Sequence, residues 1–333
     1  MKPTDQSNAE ATPQTVGGPV VKLRRGGVLL PFPTPFDADG TVNAPAIRSN
    51  IESWNRTGVA GYVALGSTGE RVHLGERECL EVIEAARASV PDSLSLIVGV
   101  GQQSTRATVE EARRFAEAGA DSVLVITPHF YRSEMTHAAL VRHYTTVADA
   151  SPVPVLLYSV PQFTNVTIGP ETIASLSEHE NIVGVKDSSG DVLALAEIVR
   201  LVPEDFAVLT GNGAALYPAL CAGARGGILA VGCIAPRLSV TICEAFQSGD
   251  HERARLAQQK LARLTRGVLS RYGIGGLKAA LDILGCAGGH VRPPLQDSVE
   301  EARREVAAIL RETELTGGEA GTGEYTLAGA STR

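Results

Sequence analysis

The chain has 333 residues, of which 44% are apolar, enough to bury a large core in one domain or in two. A formal charge of −7 and an aromatic content of 5% provide neither a basic field nor many stacking platforms, so nucleic acid is excluded as an expected partner. No apolar run reaches the roughly 18 residues of a membrane span, and residues 1–20 lack an apolar secretory core, which predicts a cytoplasmic protein. The five scattered cysteines form no CxxC pair, which predicts reduced thiols rather than a disulfide or a zinc site.

Polar termini enclose a regular alternation of apolar and amphipathic segments. Residues 1–23 and 313–333 are polar or rich in Gly, Thr and Ser, and we expect flexible tails there. Short apolar segments between them predict eight buried strands, at 27–30, 61–65, 94–100, 122–126, 155–158, 182–185, 206–209 and 227–230. Amphipathic stretches predict intervening helices at 44–56, 76–89, 105–118, 136–149, 192–202 and 214–223. Gly58, Gly119 and Gly223 each follow a predicted helix and precede a strand, as expected at helix C-termini.

This alternation predicts an α/β fold, a (β/α)8 TIM barrel over residues 24–234. A doubly wound open sheet is the alternative, but no GxGxxG motif opens a helix after the first strand. Residues 235–312 contain no strand-like segment, and their apolar residues recur at helical spacing. We therefore predict that a C-terminal helical region is appended to the barrel.

The functional side chains of a (β/α)8 barrel lie where its strands end. The residues at the ends of the predicted strands include Gly66-Ser67-Thr68, Tyr158, Lys186-Asp187-Ser188 and Asn212. Glu70, His73 and His129 lie near these ends and are interpreted as structural. No His, Asp or Glu cluster with metal-ligand spacing accompanies them, so no metal site is expected. Hydroxyl groups and one amine are thus expected to converge, a set suited to amine catalysis assisted by proton relays.

Lys186 is isolated in a chain that uses lysine sparingly. No other lysine lies between residues 23 and 259, and Lys186 ends the apolar run 182–185, which predicts burial. Burial disfavours the charged ammonium form, and a neutral amine can attack a carbonyl carbon to form a Schiff base. The alternative is a lysine whose amine simply reaches water from a strand end, since lysine is seldom buried without a partner. The residue pattern around Lys186 leaves both interpretations open.

Four motifs resemble those of the pyruvate-dependent class I lyases, the family that includes dihydrodipicolinate synthase and N-acetylneuraminate lyase. They are GSTGE at 66–70, TPHFY at 127–131, YSVP at 158–161 and GVKDS at 184–188. Tyr158 precedes Lys186 by 28 residues, as the family pattern requires. The resemblance covers roughly residues 25–312. Segments 147–161, 181–192 and 271–285 look most like 4-hydroxy-2-oxoglutarate aldolase.

The resemblance implies Schiff-base chemistry without a metal or an organic cofactor, in a homotetramer built as a dimer of dimers. Lys186 would be the nucleophile, and Tyr158 would donate and accept protons beside the carbonyl carbon. Ser67 and Thr68 would bind the substrate carboxylate through backbone N–H groups, with their hydroxyls extending the proton relay. The remaining substrate-binding positions would be Gly66, Ser188, Asn212 and Phe130, with Ser188 as the candidate contact for a substrate 4-hydroxyl.

The implied reaction is cleavage of a 4-hydroxy-2-oxo acid, such as 4-hydroxy-2-oxoglutarate, to pyruvate and an aldehyde. The open alternatives are dihydrodipicolinate synthase, a 2-keto-3-deoxy sugar acid aldolase or dehydratase, and a non-catalytic protein that binds 2-oxo acids. Phe130 stands where the family places a tyrosine donated across a subunit interface, so Tyr131 or a shorter relay must replace it. Phe163 stands where the synthase has an arginine for the second substrate carboxylate, and a phenyl ring cannot make that bidentate contact. The Phe163 position therefore argues against the synthase.

Overall fold

The computed structural model describes residues 26–315, so the tail predicted at 1–23, and the one at the C-terminus from residue 316 onward, lie outside the described residues. Thr313 and Leu315, assigned by the sequence to that tail, are buried. The packed structure therefore continues past residue 312.

Eight parallel strands pair in sequence order and close into a barrel, which confirms the predicted (β/α)8 fold. They are β1 (Gly27–Pro31), β2 (Gly61–Ala64), β3 (Ser95–Val100), β4 (Ser122–Ile126), β5 (Val155–Ser159), β6 (Ile182–Asp187), β7 (Ala207–Thr210) and β8 (Gly226–Ile228). The barrel closes where Gly27 of β1 pairs with Gly226 of β8. A Cβ atom at Gly226 would lie 2.0 Å from the Gly27 carbonyl oxygen, so only glycine fits at this seam.

Helices follow the strands and continue beyond the barrel. They are α1 (Ala44–Trp54), α2 (Glu76–Arg87), α3 (Thr105–Glu117), α4 (His137–Ala150), α5 (Pro161–Thr164), α6 (Pro170–Ser177), α7 (Val192–Leu201), α8 (Leu216–Cys221), α9 (Pro236–Gln247), α10 (His251–Leu264), α11 (Arg271–Ile283) and α12 (Glu300–Glu312). Helices α5 and α6 were not predicted. Both begin at a proline, whose fixed φ suits the first helical position, and both are too short to show a clear apolar period.

Apolar residues fill the barrel on both sides of its wall. A small interior cluster includes Leu29, Val63, Leu124, Leu156 and Leu209, which plug the centre of the barrel. A much larger cluster lies between the strands and the surrounding helices. Because these side chains fill the centre of the barrel, a substrate can enter only at one end of it.

The C-terminal helices pack on one another, and the chain then returns to the end of the barrel at which its strands end. Helix α9 follows β8 and contacts β1, so it completes the eighth βα unit. A π-helical turn at Thr265–Ser270 joins α10 to α11. Beyond α11 the chain reaches the segment that follows β1, where His290 pairs with Phe36. Within the described part of the chain, no helix has the length and hydropathy required to cross a membrane.

Candidate active site

Lys186 lies on β6 with its side chain at the open end of the barrel. It is only 5% exposed, and its register neighbours are Tyr158 on β5 and Leu209 on β7. The Lys186 Nζ atom lies 4.3 Å from the centroid of the Tyr158 ring. No residue between 26 and 315 accepts a hydrogen bond from this amine or forms an ion pair with it. The amine is therefore buried but uncommitted, in the sense that no hydrogen bond or ion pair within residues 26–315 uses it.

Tyr158 connects Lys186 to the loop that follows β2. Its side chain is 5% exposed, and its hydroxyl lies 3.2 Å from the Ser67 Oγ atom, close enough for a hydrogen bond in either direction. The structure thus brings together Lys186, Tyr158 and Ser67, which the sequence places far apart. The hydroxyl pair is a path along which a proton can leave or reach the neighbourhood of the amine.

The loop after β2 forms a 3-10 turn at Ser67–Gly69. The Gly69 N–H donates to the Gly66 carbonyl oxygen over 2.9 Å, and Thr34 Oγ1 donates to the Gly69 carbonyl oxygen over 2.8 Å. As the first residues of the turn, Ser67 and Thr68 have backbone N–H groups without a partner inside it. Adjacent N–H groups of this kind suit a carboxylate. The turn is compatible with carboxylate binding by Ser67 and Thr68, which stays a prediction.

Ser188 lies beside Lys186, where a glycine directly after β7, Gly211, leaves room for both side chains. The Ser188 N–H donates to the Ser159 carbonyl oxygen over 2.9 Å, and the Ser188 side chain is buried. A Cβ atom at Gly211 would lie 1.9 Å from Ser188 Oγ and 3.1 Å from Lys186 Cε. The serine hydroxyl and the lysine side chain therefore converge on one point that Gly211 leaves empty. Gly211 was not predicted as a site residue, although a glycine directly after a barrel strand was the available signal.

Asn212 lies in the loop after β7, and its carboxamide oxygen already accepts a hydrogen bond within that loop. Its Oδ1 atom accepts from the Ala214 N–H over 3.0 Å and caps the following turn. Its Nδ2 atom leaves no room for a side chain at Gly190. Asn212 thus shapes the loop, and its role in substrate binding stays a prediction.

The aromatic residues that mark the departures from the family pattern lie on the surface of the single chain. Phe130 is 73% exposed and Tyr131 is 70% exposed, and their rings meet edge to face with centroids 5.0 Å apart. Phe163, at the start of the chain segment after β5, is 67% exposed. Within one chain, the Phe130 side chain therefore does not enter the buried group around Lys186.

A second lysine is even more deeply buried, which the sequence analysis did not anticipate. Lys278 on α11 is 1% exposed, and its Nζ atom donates to Glu70 Oε1 over 2.6 Å, to the Thr34 carbonyl oxygen over 2.7 Å and to the His290 carbonyl oxygen. Burial lowers the pKa of Lys278, and the Glu70 carboxylate opposes that shift. With all three protons of its ammonium engaged, Lys278 has no lone pair available for attack. Burial alone therefore does not identify the nucleophile, but the hydrogen bonds favour Lys186.

Glu70 has the structural role that the sequence suggested. Its carboxylate is buried, pairs with Lys278 and also accepts from the Arg292 N–H over 2.9 Å. Among residues 26–315, no group of three or more His, Cys, Asp or Glu side chains is arranged to hold a metal ion.

Comparison with known proteins places these features in a family. A model of the dihydrodipicolinate synthetase family matches residues 24–313. A 4-hydroxy-tetrahydrodipicolinate synthase of Methanothrix thermoacetophila is 35% identical over 295 residues, which cover 87% of this chain and 98% of the relative. The synthase of Haloarcula marismortui is 36% identical over 293 residues, with 87% and 95% covered.

Solved structures agree with the sequence relatives. YagE, a prophage protein of E. coli K12 that belongs to the dihydrodipicolinic acid synthase family, has a TM-score of 0.82 at 29% identity. The match covers 87% of this chain and 99% of YagE, whose structure was solved in complex with pyruvate. The resemblance inferred from four short motifs is therefore confirmed across the barrel and the C-terminal helices. The chain belongs to the dihydrodipicolinate synthetase family and is an enzyme of its carbon–carbon lyase class.

Proposed function

We propose that this enzyme binds pyruvate as a Schiff base on Lys186 and makes or breaks a carbon–carbon bond at C3 of the bound pyruvate. The observation that carries the proposal is the buried, uncommitted amine of Lys186, 4.3 Å from the ring of Tyr158. The family supports it, and both YagE and the synthase of Acinetobacter baumannii were solved with pyruvate.

The proposed chemistry uses only groups of this chain. The neutral Lys186 amine attacks the C2 carbonyl carbon, and loss of water with uptake of one proton from the hydroxyl relay gives an iminium ion. The iminium withdraws electrons, so C3 can lose a proton or a carbon substituent and become an enamine. Tyr158, whose hydroxyl forms a hydrogen bond with Ser67, moves protons during these steps. The substrate carboxylate occupies the turn at Ser67–Gly69, which fixes C2 beside the amine.

For the second substrate, the relatives support condensation with aspartate semialdehyde. Those at 35% and 36% identity are named 4-hydroxy-tetrahydrodipicolinate synthase. In this reaction the enamine carbon attacks the aldehyde carbon, and the new alkoxide takes a proton from the relay. These names favour the synthase over 4-hydroxy-2-oxoglutarate aldolase, which the sequence motifs had suggested first.

One observation favours cleavage of a 4-hydroxy-2-oxo acid as a second candidate function. Phe163 is exposed where the synthase pattern has a carboxylate-binding arginine, so the chain lacks that charged contact. The convergence of the Ser188 hydroxyl and the Lys186 side chain beside Gly211 supports a contact between Ser188 and a substrate 4-hydroxyl. The two candidates share the Schiff base and differ in the group bound beyond C3.

Replacing Phe163 with arginine should raise kcat/KM for aspartate semialdehyde by about 10- to 150-fold, the value of a hydrogen bond to a charged group at about 1.5–3 kcal/mol. The half-saturating pyruvate concentration should not change, because the substitution leaves the Lys186 amine and the turn at Ser67–Gly69 unaltered. The measurement is kcat/KM for condensation and for 4-hydroxy-2-oxoglutarate cleavage on the same preparations. If wild-type protein cleaves the hydroxy acid tenfold better than it condenses aspartate semialdehyde, the second candidate replaces the first.

Gly211→Ala should lower kcat by about 100-fold, because the new methyl group displaces Ser188 and the Lys186 side chain, and misplacement by 1 Å can cost that much. Steady-state kinetics of the pyruvate reaction measure this. Gly169→Ala is the matched control, since its Cβ would meet only Glu171 Oε2 at 3.7 Å. Adding Ser188→Gly to Gly211→Ala should restore part of the rate. Equal kcat values for Gly211→Ala and the control would contradict this role of Gly211.

The homotetramer and the cytoplasmic location stay predictions. The exposed pair Phe130 and Tyr131 supports a subunit contact at the loop after β4, since aromatic side chains are enriched in the cores of interfaces.

A further inference from the structure

Glu70 adopts a backbone conformation that residues other than glycine seldom adopt. Its φ and ψ angles are 56° and 34°, in the left-handed region, where the Cβ atom is crowded. Such a conformation persists when the surrounding contacts hold it. Here the contacts converge on the Glu70 carboxylate: Lys278 Nζ on one oxygen, and the Arg292 N–H and His73 Nδ1 on the other. The Glu70 conformation therefore depends on its buried side chain.

Glu70 also ends the turn that contains the proposed carboxylate-binding N–H groups. The Glu70 N–H donates to the Ser67 carbonyl oxygen over 3.2 Å, so rotation of Glu70 would change the turn itself. Lys278 holds the turn by a second route. Its Nζ donates to the Thr34 carbonyl oxygen, and Thr34 Oγ1 donates to the Gly69 carbonyl oxygen. One ammonium group on α11 thus fixes the turn at Gly69 and at Glu70.

We propose that Lys278 is a positioning residue for substrate binding, through which the C-terminal helical region fixes the turn at Ser67–Gly69 and sets the affinity for the pyruvate carboxylate. This inference rests on the proposed function and adds a role for helix α11, which contributes no group to the reaction. It gives the pair Glu70–Lys278 a function beyond stability. The carboxylate contact is equal in the bound substrate and in the transition state, so its loss should appear in pyruvate affinity rather than in kcat.

The test measures the pyruvate concentration that half-saturates covalent trapping by borohydride, together with kcat. Lys278→Met removes the three hydrogen bonds and keeps an unbranched apolar side chain. We expect the half-saturating pyruvate concentration to rise at least tenfold and kcat to fall by a smaller factor, since Ser67, which forms a hydrogen bond with Tyr158, begins the same turn. Lys260→Met is the matched control, because Lys260 lies on neighbouring α10, pairs with Glu314 at the surface and is half exposed. The control should leave both quantities at their wild-type values.

Lys278→Met leaves the Glu70 carboxylate buried without a cation, which destabilises a protein strongly, so a second variant separates stability from positioning. Glu70→Gln/Lys278→Met removes both charges and should recover most of the Tm lost in the single variant. Its pyruvate affinity should stay at least tenfold weakened, because the connection to α11 is still absent. A double variant with wild-type pyruvate affinity would overturn the positioning role. Failure of wild-type protein to form any adduct with pyruvate would instead overturn the proposed function on which this role rests.

Discussion

Lys186→Ala and Lys186→Arg should abolish covalent trapping of pyruvate by borohydride and abolish turnover. Wild-type protein should gain one reduced pyruvate adduct per chain, and the modified peptide should contain Lys186. The physical reason is that the iminium requires a neutral amine at C2, which alanine lacks and the permanently charged guanidinium of arginine cannot supply. Mass spectrometry of the intact chain and of its peptides measures the adduct and its position.

Lysines elsewhere in the chain provide the internal control. The Lys278 Nζ atom donates three hydrogen bonds to oxygen atoms, and Lys260 forms an ion pair with Glu314 at the surface. Neither should carry an adduct after brief reduction, and Lys260→Met should trap pyruvate like wild type. Recovery of the adduct on the Lys278 peptide, or trapping that survives in Lys186→Ala, would show that the nucleophile has been misassigned.

Tyr158→Phe should lower kcat by roughly 10²–10⁴-fold, the usual contribution of a positioned acid or base. The substitution keeps the ring beside the Lys186 amine and removes only the hydroxyl that bonds to Ser67. Pyruvate affinity should therefore change much less than kcat, and Schiff-base formation should also slow because it moves protons. Steady-state rates and the time course of trapping measure the two effects.

Tyr144→Phe is the matched control for that experiment. Tyr144 is a fully buried tyrosine on α4 whose hydroxyl donates to the Val125 carbonyl oxygen, in the layer between helices and barrel. Its loss removes a buried hydrogen bond of the same kind without touching the site. A kcat in Tyr158→Phe equal to that of Tyr144→Phe would show that the proton comes from another donor, such as Tyr131 or water.

The barrel could be predicted because its signals are local. Each strand is a short apolar run, three of the strands follow a glycine at the end of a helix, and each long helix has its own apolar period. The strand ends then place Lys186, Tyr158 and Ser67 at one end of the barrel, since parallel strands in a closed barrel share a direction. Helices α5 and α6 were not predicted, because segments of four and eight residues are too short to show a helical period.

The features that escaped prediction in the site depend on contacts between distant residues. Gly211 matters because Ser188 and Lys186 come from the neighbouring strand and fill the space beside it. Lys278 is buried only because Glu70, 208 residues earlier, supplies the opposite charge. A charged residue in a helical apolar period is ordinarily read as a solvated position, and nothing local to 278 indicates a partner. The isolation of Lys186 in the sequence therefore drew attention to one of the two lysines that are buried among residues 26–315.

The pairing of β1 with β8 governs how the chain can fold as it is synthesised. The two strands that close the barrel come from its two ends in sequence, so β1 leaves the ribosome long before its second neighbour exists. Until Gly226–Ile228 has been made, the nascent sheet has two open edges with unpaired N–H and C=O groups, which are templates for pairing with other chains. Contacts of such long range also slow folding. The pairing of Gly27 with Gly226 is therefore the contact that finally covers the open edge of β1, and it cannot form until β8 has been synthesised.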